Sequence, residues 1–156
     1  MTAELLARFE RSLAAGELVA LVGELRAEGH AIMAVYHLLY GAFQTHLRAA
    51  RRAEDVAALL AACATVQRAL GTSFEAELFA RIDPHVRAGT LHALVVELHD
   101  REGWSKRRLY DTLLAFTFAL DIAGREDDTI STEDEIDVIS GWCAASRRLW
   151  PDEPMD

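Results

Sequence analysis

A fourteen-residue stretch that occurs twice decides the fold. AGELVALVGELRAE, residues 15–28, aligns without gaps on AGTLHALVVELHDR, residues 88–101, and eight of the fourteen positions are identical. After one inserted residue the similarity continues, pairing Leu39 with Leu113, so the period is 73 to 74 residues. This period exceeds that of common solenoid units and predicts a duplicated multi-helix module whose halves pack on each other. Chance similarity between two alanine- and leucine-rich helix pairs is the alternative.

Apolar residues recur at helical spacing through both copies, and this periodicity predicts a three-helix unit in each. Copy one covers about 15–70 and copy two about 88–149. An additional helix precedes copy one, and a short helical turn over 74–82 joins the copies. No segment alternates apolar and polar residues as a strand would. The sequence therefore predicts an all-α, single-domain bundle of seven or eight helices over residues 1–156.

The last helix of copy two has the most specific sequence signals for where a helix begins and ends. Thr132, followed by Glu135 three residues later, is a capping-box pattern that predicts the start of this helix. Apolar residues continue through Trp142 to Leu149, and Pro151 is expected to end the helix. The pattern therefore predicts that Trp142 belongs to the core.

Composition favours one globular domain without covalent cross-links. The chain has 156 residues, of which 51% are apolar, so a single substantial core can form. Cys63 and Cys143 lie in apolar helical runs and are predicted to be buried thiols. The N-terminus lacks the basic and apolar regions of a secretory signal, which favours a cytoplasmic protein. Residues 29–47 carry no charge but include three histidines and a glutamine, so we expect a buried helix and no membrane span.

Negative charge is concentrated near the C-terminus. Residues 126–156 hold ten of the 25 acids but only two of the 16 bases, and the last six residues, 151–156, form an acidic tail. One or two acids complement the positive end of a helix dipole, whereas a larger cluster repels itself unless a cation or a basic protein lies opposite. We therefore predict a binding site for a basic protein, with a solvated face as the alternative. Seven carboxylates form the predicted site: Glu126, Asp127, Asp128, Glu133, Asp134, Glu135 and Asp137.

The environments of the other two tryptophans are predicted from the residues beside them in the sequence. Trp104, between Gly103 and Ser105, is expected to pack back onto its own helix, which Ser105 is predicted to cap at its N-terminus. Trp150 lies next to the acidic tail, and aromatic anchors surrounded by charge carry interface energy, so Trp150 is predicted to contact the partner.

No segment has the residue types and spacing of a catalytic, metal or cofactor site. His85, His92 and His99 are seven residues apart, which is about 10 Å along a helix and too far for a shared metal ion. The acidic segment lacks the alternating oxygen ligands and the glycine of a calcium loop. Basic clusters exist at Arg48, Arg51 and Arg52 and at 106–108, but the net charge of −9 opposes nucleic-acid binding. We expect no enzyme activity and no cofactor.

Three functional interpretations follow. The first is an intracellular module, such as an inhibitor or an immunity-type protein, that engages a basic partner through the acidic C-terminal region. The second is a structural subunit that assembles into a homo-oligomer, with the acids maintaining solubility. The third is an enzyme or a small-ligand-binding protein with a pocket between the copies, because the repeat pairs Tyr36 with Tyr110 and His37 with Asp111.

Overall fold

The computed structural model describes residues 3–48 and 52–155, except for the side chains of residues 3, 6, 47 and 48. The described residues are helical and include no β-strand, which confirms the all-α prediction. Eight α-helices and one short 3-10 helix follow one another: α1 (Ala3–Ala15), α2 (Leu18–Ala27), α3 (Ile32–Arg48), α4 (Ala53–Thr72), α5 (Ala76–Arg87), α6 (Leu91–Asp100), α7 (Lys106–Ile122), α8 (Glu126–Ser140) and the 3-10 helix Ala145–Arg147.

The chain divides into two compact units, Met1–Ala69 and Leu70–Asp156. Unit 1 contains α1, α2, α3 and α4 as far as Ala69, and unit 2 contains the end of α4 and the four helices that follow. The organisation of residues 1–156 as one domain stays a prediction. Among the described residues, no single helix is long and apolar enough to cross a membrane; α4 and α5 reach that length and composition only together, with a bend of 95° between them.

Unit 1 is built around α2. This helix buries four apolar residues, and both α1 and α3 pack against it. An exposed ion-pair network also joins α1 to α2, because Arg8 donates to Glu24 at 3.0 Å and to Glu28 at 2.8 Å. The Cys63 thiol on α4 is buried as predicted, and burial raises its pKa to about 11, so it stays protonated at neutral pH. The buried residues of α2 are Leu18, Leu21, Val22 and Leu25.

Unit 2 contains an apolar core to which α5, α6, α7 and α8 all contribute. Ser105 caps α7 as predicted, with its hydroxyl accepting a hydrogen bond from the Arg108 backbone N–H at 3.2 Å. Trp104 is buried beside this cap, and the Arg108 guanidinium lies 3.7 Å from the centre of its ring. An apolar stripe of α7 faces the core: Leu109, Leu113, Phe116 and Leu120.

The start of α8 differs from the prediction. The helix begins at Glu126, and Thr132 lies fully buried inside it, donating its hydroxyl hydrogen to the Asp128 carbonyl at 2.8 Å. Glu135 pairs with His92 of α6 instead of closing a capping box. The earlier start is favoured because Arg125, just before the helix, bonds to both Asp83 and Asp128 and so anchors the first turn of α8 to α5.

The end of α8 is also earlier than predicted, and this changes the environment of two residues. Gly141 adopts a left-handed conformation with φ of 83°, which ends the helix far short of Pro151. The chain then folds back, and the Leu149 N–H donates to the Val138 carbonyl at 3.2 Å. Trp142 is therefore 79% exposed rather than in the core. The thiol of Cys143, predicted to be buried, is partly exposed for the same reason.

The short helical turn predicted over 74–82 is instead a full helix, α5, which belongs to unit 2. Helix α5 has 12 residues and contains Pro84. A proline inside a helix lacks one backbone donor, which normally favours termination. Here the helix continues because Ile82 and Val86, on either side of the proline, are both buried in the core of unit 2.

Substituting two helical glycines tests this packing. A Cβ on Gly71 would lie 2.6 Å from the carbonyl carbon and oxygen of Phe118, whereas a Cβ on Gly23 would meet nothing within 4 Å. We expect Gly71→Ala to lower the free energy of unfolding by about 1–3 kcal/mol because backbone must move. Gly23→Ala should raise it by about 0.5–1 kcal/mol through helix propensity. Urea denaturation measures both, and equal effects of the two substitutions would contradict the close packing at Gly71.

Candidate protein-binding surface

Helix α8 has one buried side and one exposed side. The buried side includes Thr129, Thr132 and Ile136, which face unit 2. Exposed residues recur on the other side at helical spacing, with Ile130 between the carboxylates and 52% exposed. We call this exposed surface the acidic face, and it consists of Glu126, Asp127, Ile130, Glu133, Asp134 and Asp137.

The carboxylates of the acidic face repel one another. Partial loss of hydration raises the pKa of Glu133, and the neighbouring charges of Asp121, Asp137 and Asp134 raise it further. Among the residues that the structure describes, none forms an ion pair with a side chain of the acidic face. No described residue therefore offsets the negative charge of this surface through an ion pair.

Two of the seven predicted carboxylates have internal partners instead. Asp128 lies 2.6 Å from the Arg125 guanidinium, which also contacts Asp83. Glu135 is only 9% exposed, and its Oε1 lies 2.9 Å from Nδ1 of His92. Glu135 joins α8 to α6, whereas Asp128 holds the Arg125 guanidinium that reaches Asp83 of α5, so neither carboxylate belongs to the acidic face. The other five remain available to a partner.

Sequence reasoning missed Trp142 as a surface residue. Its side chain follows Gly141 directly, so it lies at the C-terminal end of the helix that carries the acidic face. The signal that could have found it was Gly141 itself, because a glycine at this position is typical of the residue that ends a helix. An exposed indole next to a charged helix is a candidate anchor for a partner.

Trp150, the predicted contact residue, is half-buried and packs against the core of unit 2. Its ring stacks on His99, with 3.7 Å between the ring centres. Its φ of 46° is unusual for a residue with a Cβ, and two contacts stabilise it: the stacked imidazole and a hydrogen bond from Lys106 Nζ to the Trp150 carbonyl at 3.2 Å. Its role as a partner anchor stays a prediction.

The acidic tail is attached to unit 2 through charged groups. Glu153 accepts from His99 at 2.7 Å, and the buried Lys106 ammonium donates to the Glu153 carbonyl at 3.2 Å. Desolvation lowers the pKa of His99, but hydrogen bonds to Asp100 and Glu153 outweigh it, so that pKa is raised overall. Desolvation likewise opposes ionisation of Glu153, but His99 and Lys106 hold its pKa below the usual value.

The four predicted pocket residues belong to different units, two in each. In unit 1, Tyr36 is buried and stacks on Tyr40, while His37 lines a cavity. In unit 2, Asp111 accepts from Arg107 at 2.9 Å and lines a separate cleft. The pairing of Tyr36 with Tyr110 and of His37 with Asp111 stays a prediction.

The histidines of α5 and α6 have separate partners. His85 pairs with Thr90, His92 with Glu135, and His99 with Asp100 and Glu153. Within residues 3–48 and 52–155, no group of three or more histidine, cysteine or acidic side chains is placed to hold a metal ion. Of the first basic cluster, Arg52 pairs with Asp55 at 3.1 Å, whereas Arg51 and the side chain of Arg48 lie outside the described part of the chain.

Comparison with protein-family models, with curated proteins and with solved structures found no match.

The contacts of His99 predict a pH-dependent stability. A histidine whose pKa rises on folding stabilises the protein below its ordinary pKa of 6.5, and this contribution is lost as pH rises through the raised value. His99→Gln should therefore lower the free energy of unfolding more at about pH 5.5 than at about pH 8.5. Urea denaturation at the two pH values measures the difference.

Glu153→Gln provides the matched control, because it removes the carboxylate but leaves the stacking of Trp150 on His99. It should reduce the pH-dependent part of the stability in the same direction. A loss that is the same at both pH values for both variants would contradict the ionic attachment of the tail.

Proposed function

We propose that this chain is a protein-binding module without catalytic activity, and that it holds a basic partner against the acidic face of α8. The observation that carries the proposal is the set of five exposed carboxylates around Ile130 that lack an ionic partner among the described residues. Lysine and arginine side chains opposite these carboxylates would offset their mutual repulsion. Such complementarity speeds association and selects against other acidic proteins.

Two exposed apolar side chains would add apolar contacts to the charge interactions of the acidic face. Ile130 lies among the carboxylates, and Trp142 lies just beyond the C-terminal end of α8. Interfaces derive most of their binding energy from a few buried aromatic or aliphatic anchors surrounded by polar groups. The partner is therefore a protein with a basic surface that includes an apolar pocket for the Trp142 indole.

We also propose that the two units are diverged copies of one four-helix module. Their helices have similar lengths in the same order: 13, 10, 17 and 20 residues in α1 to α4, and 12, 10, 17 and 15 in α5 to α8. The buried positions also correspond. Leu18, Leu21, Val22 and Leu25 of α2 align with Leu91, Leu94, Val95 and Leu98 of α6.

The duplication supports a functional origin of the acidic face. At a spacing of 73 residues, the buried Leu59, Ala62, Cys63 and Val66 of α4 align with the buried Thr132, Glu135, Ile136 and Ile139 of α8. On the exposed side, Leu60, Ala61 and Ala64 of α4 align with Glu133, Asp134 and Asp137. The equivalent helix of the first copy, α4, therefore forms without acids at these positions. This favours a role of the acids of α8 in binding over a role in folding.

Affinity capture tests the proposal with two variants of equal charge. The first replaces Asp127, Glu133, Asp134 and Asp137 by Asn or Gln, and the second replaces the exposed Glu4, Glu17, Glu77 and Glu97 by Gln. Each is used as bait in a lysate of the native host, with elution by a salt gradient. A basic protein should bind the wild type and the second variant, and retention by the first should fall about tenfold or more, which corresponds to about 1.4 kcal/mol.

Trp142→Ala provides an independent readout, because it leaves the charge unchanged. It should weaken retention of the same basic protein and make the remaining binding more sensitive to salt. Equal retention by both charge variants would show that net charge alone is responsible and would contradict a specific acidic face. Recovery of the bait alone would favour the homo-oligomer.

A further inference from the structure

Unit 1 contains a cavity of about 1090 Å³ that is lined mainly by α1 and α3, the two helices that pack on α2. The cavity is open to solvent on one side. Small-molecule sites in proteins are typically clefts of about 300–1,000 Å³ with apolar walls and a few polar groups. The cavity fits this description and shares no residue with the acidic face, so it is a separate candidate site. Six large apolar side chains line it, the first three buried and the others half-buried: Phe9, Leu25, Val35, Leu5, Leu13 and Leu38.

Helix α3 determines the length of the cavity. Its lining residues run from Ala34 to His46, and at about 1.5 Å per residue these positions span roughly 18 Å along the helix. An extended decyl chain, whose carbon–carbon bonds are about 1.5 Å long, fits within this length. Gly41 also lines the cavity, and a Cβ there would meet nothing within 4 Å. The shape therefore favours an elongated ligand that lies along α3.

The charged side chains of the lining are either paired or exposed. The Arg52 guanidinium donates two hydrogen bonds to the Asp55 carboxylate, at 3.1 and 3.3 Å. Glu10 is exposed, so solvent screens its charge. A charged head group that entered the cavity would lose hydration without gaining a buried countercharge from the described residues, which costs free energy. The lining therefore favours a ligand that carries no charge.

One buried polar atom of the lining lacks a partner. Nδ1 of His46 is buried and forms no hydrogen bond with any described residue. A buried polar atom destabilises the fold unless a ligand or water satisfies it. Nδ1 donates in one tautomer and accepts in the other, and a hydroxyl group matches both. The adjacent Thr45 donates its own hydroxyl hydrogen to the Gly41 carbonyl at 2.9 Å, which leaves its oxygen able to accept a second bond.

The other two histidines of the lining have different surroundings. Nε2 of the exposed His30 lies 3.7 Å from the Glu28 carboxylate, and the His37 ring packs edge-on against Tyr36 with 5.7 Å between ring centres. Within the described lining, the buried nitrogen without a partner is therefore that of His46. The polar contact of a ligand is expected at this end of the cavity.

We propose that the cavity of unit 1 binds an uncharged amphiphile with an elongated apolar chain and a terminal hydroxyl group, the class that includes long-chain alcohols. The chain lies along α3 against the apolar wall, and the hydroxyl group forms a hydrogen bond with Nδ1 of His46. The proposal does not depend on the acidic face, because the two sites have no residue in common.

Isothermal titration calorimetry of the full chain with decanol tests the proposal. Decanol should bind with a Kd on the order of 10 μM. Octanol should bind about tenfold more weakly, because the cavity buries two fewer methylene groups. Decanoate and decyltrimethylammonium have a similar chain but a charged head group, and each should bind about tenfold more weakly than decanol because of the lost hydration.

Two glycine substitutions locate the binding site. Gly41 and Gly23 are both helical glycines whose Cβ would meet nothing within 4 Å, but only Gly41 lines the cavity. Gly41→Phe should abolish decanol binding because the ring takes the place of the chain, whereas Gly23→Phe should bind decanol like the wild type. Thermal denaturation of both variants checks that they are folded.

His46→Leu tests the hydroxyl contact and gives a result even if Gly41→Phe fails to fold. It should weaken decanol binding about tenfold and raise the melting temperature of the free protein, because it removes a buried polar atom that lacks a partner. His30→Leu, at an exposed position of the same lining, is the control and should change the Kd by no more than about twofold.

Three results would overturn the proposal directly: no binding of decanol, binding that Gly41→Phe does not weaken, and equal effects of His46→Leu and His30→Leu. Tighter binding of decanoate or of decyltrimethylammonium than of decanol would contradict the uncharged head group and identify an anionic or a cationic ligand. Sedimentation that shows dimers of the wild type but not of Gly41→Phe, without decanol binding, would identify a second copy of the chain as the occupant.

Discussion

Burial of one short apolar helix in each unit is the constraint on which the rest of the structure depends. Helices α2 and α6 each have 10 residues, fewer than an isolated helix needs for stability in water. Each is stabilised by the burial of four apolar side chains against its neighbours, and such burial is the dominant favourable contribution to folding. The neighbours must therefore present apolar surfaces to α2 and α6, which determines which sides of them remain exposed.

Helix α8 shows the functional consequence. Its inner side contributes Ile136 and Ile139 to the core, and its Glu135 is fixed by His92 of α6. The outer side is free of packing requirements, yet it concentrates carboxylates around Ile130 instead of mixing charges of both signs as a surface selected for solubility would. The residues that pack α8 into unit 2 and the residues proposed to bind the partner thus lie on opposite sides of one helix.

Local signals in the sequence predicted much of the fold. The spacing of apolar residues located the helices, and Ser105 was correctly identified as the cap of α7 because capping involves residues only three apart. The predicted ends of α8 were wrong. The start was placed at Thr132 because this residue is a plausible cap, whereas the contact of Arg125 with Asp83, 42 residues earlier in the sequence, favours a start at Glu126. The end at Gly141 was missed because apolar periodicity favoured continuing the helix.

The candidate site was predictable in composition but not in detail. Charge clustering identified the acidic segment, but the engagement of Glu135 by His92 joins residues 43 apart and depends on tertiary packing. The exposure of Trp142 follows from the end of α8, and the half-buried state of Trp150 from its stacking on His99.

The most direct test of the central claim is hydrogen exchange of the full chain, measured with and without a basic protein recovered by the proposed affinity capture. The account predicts slower exchange on binding in α8 and around Trp142, where backbone amides at the interface lose access to water. Protection confined to unit 1, or no change in α8, would contradict the acidic face as the site of binding.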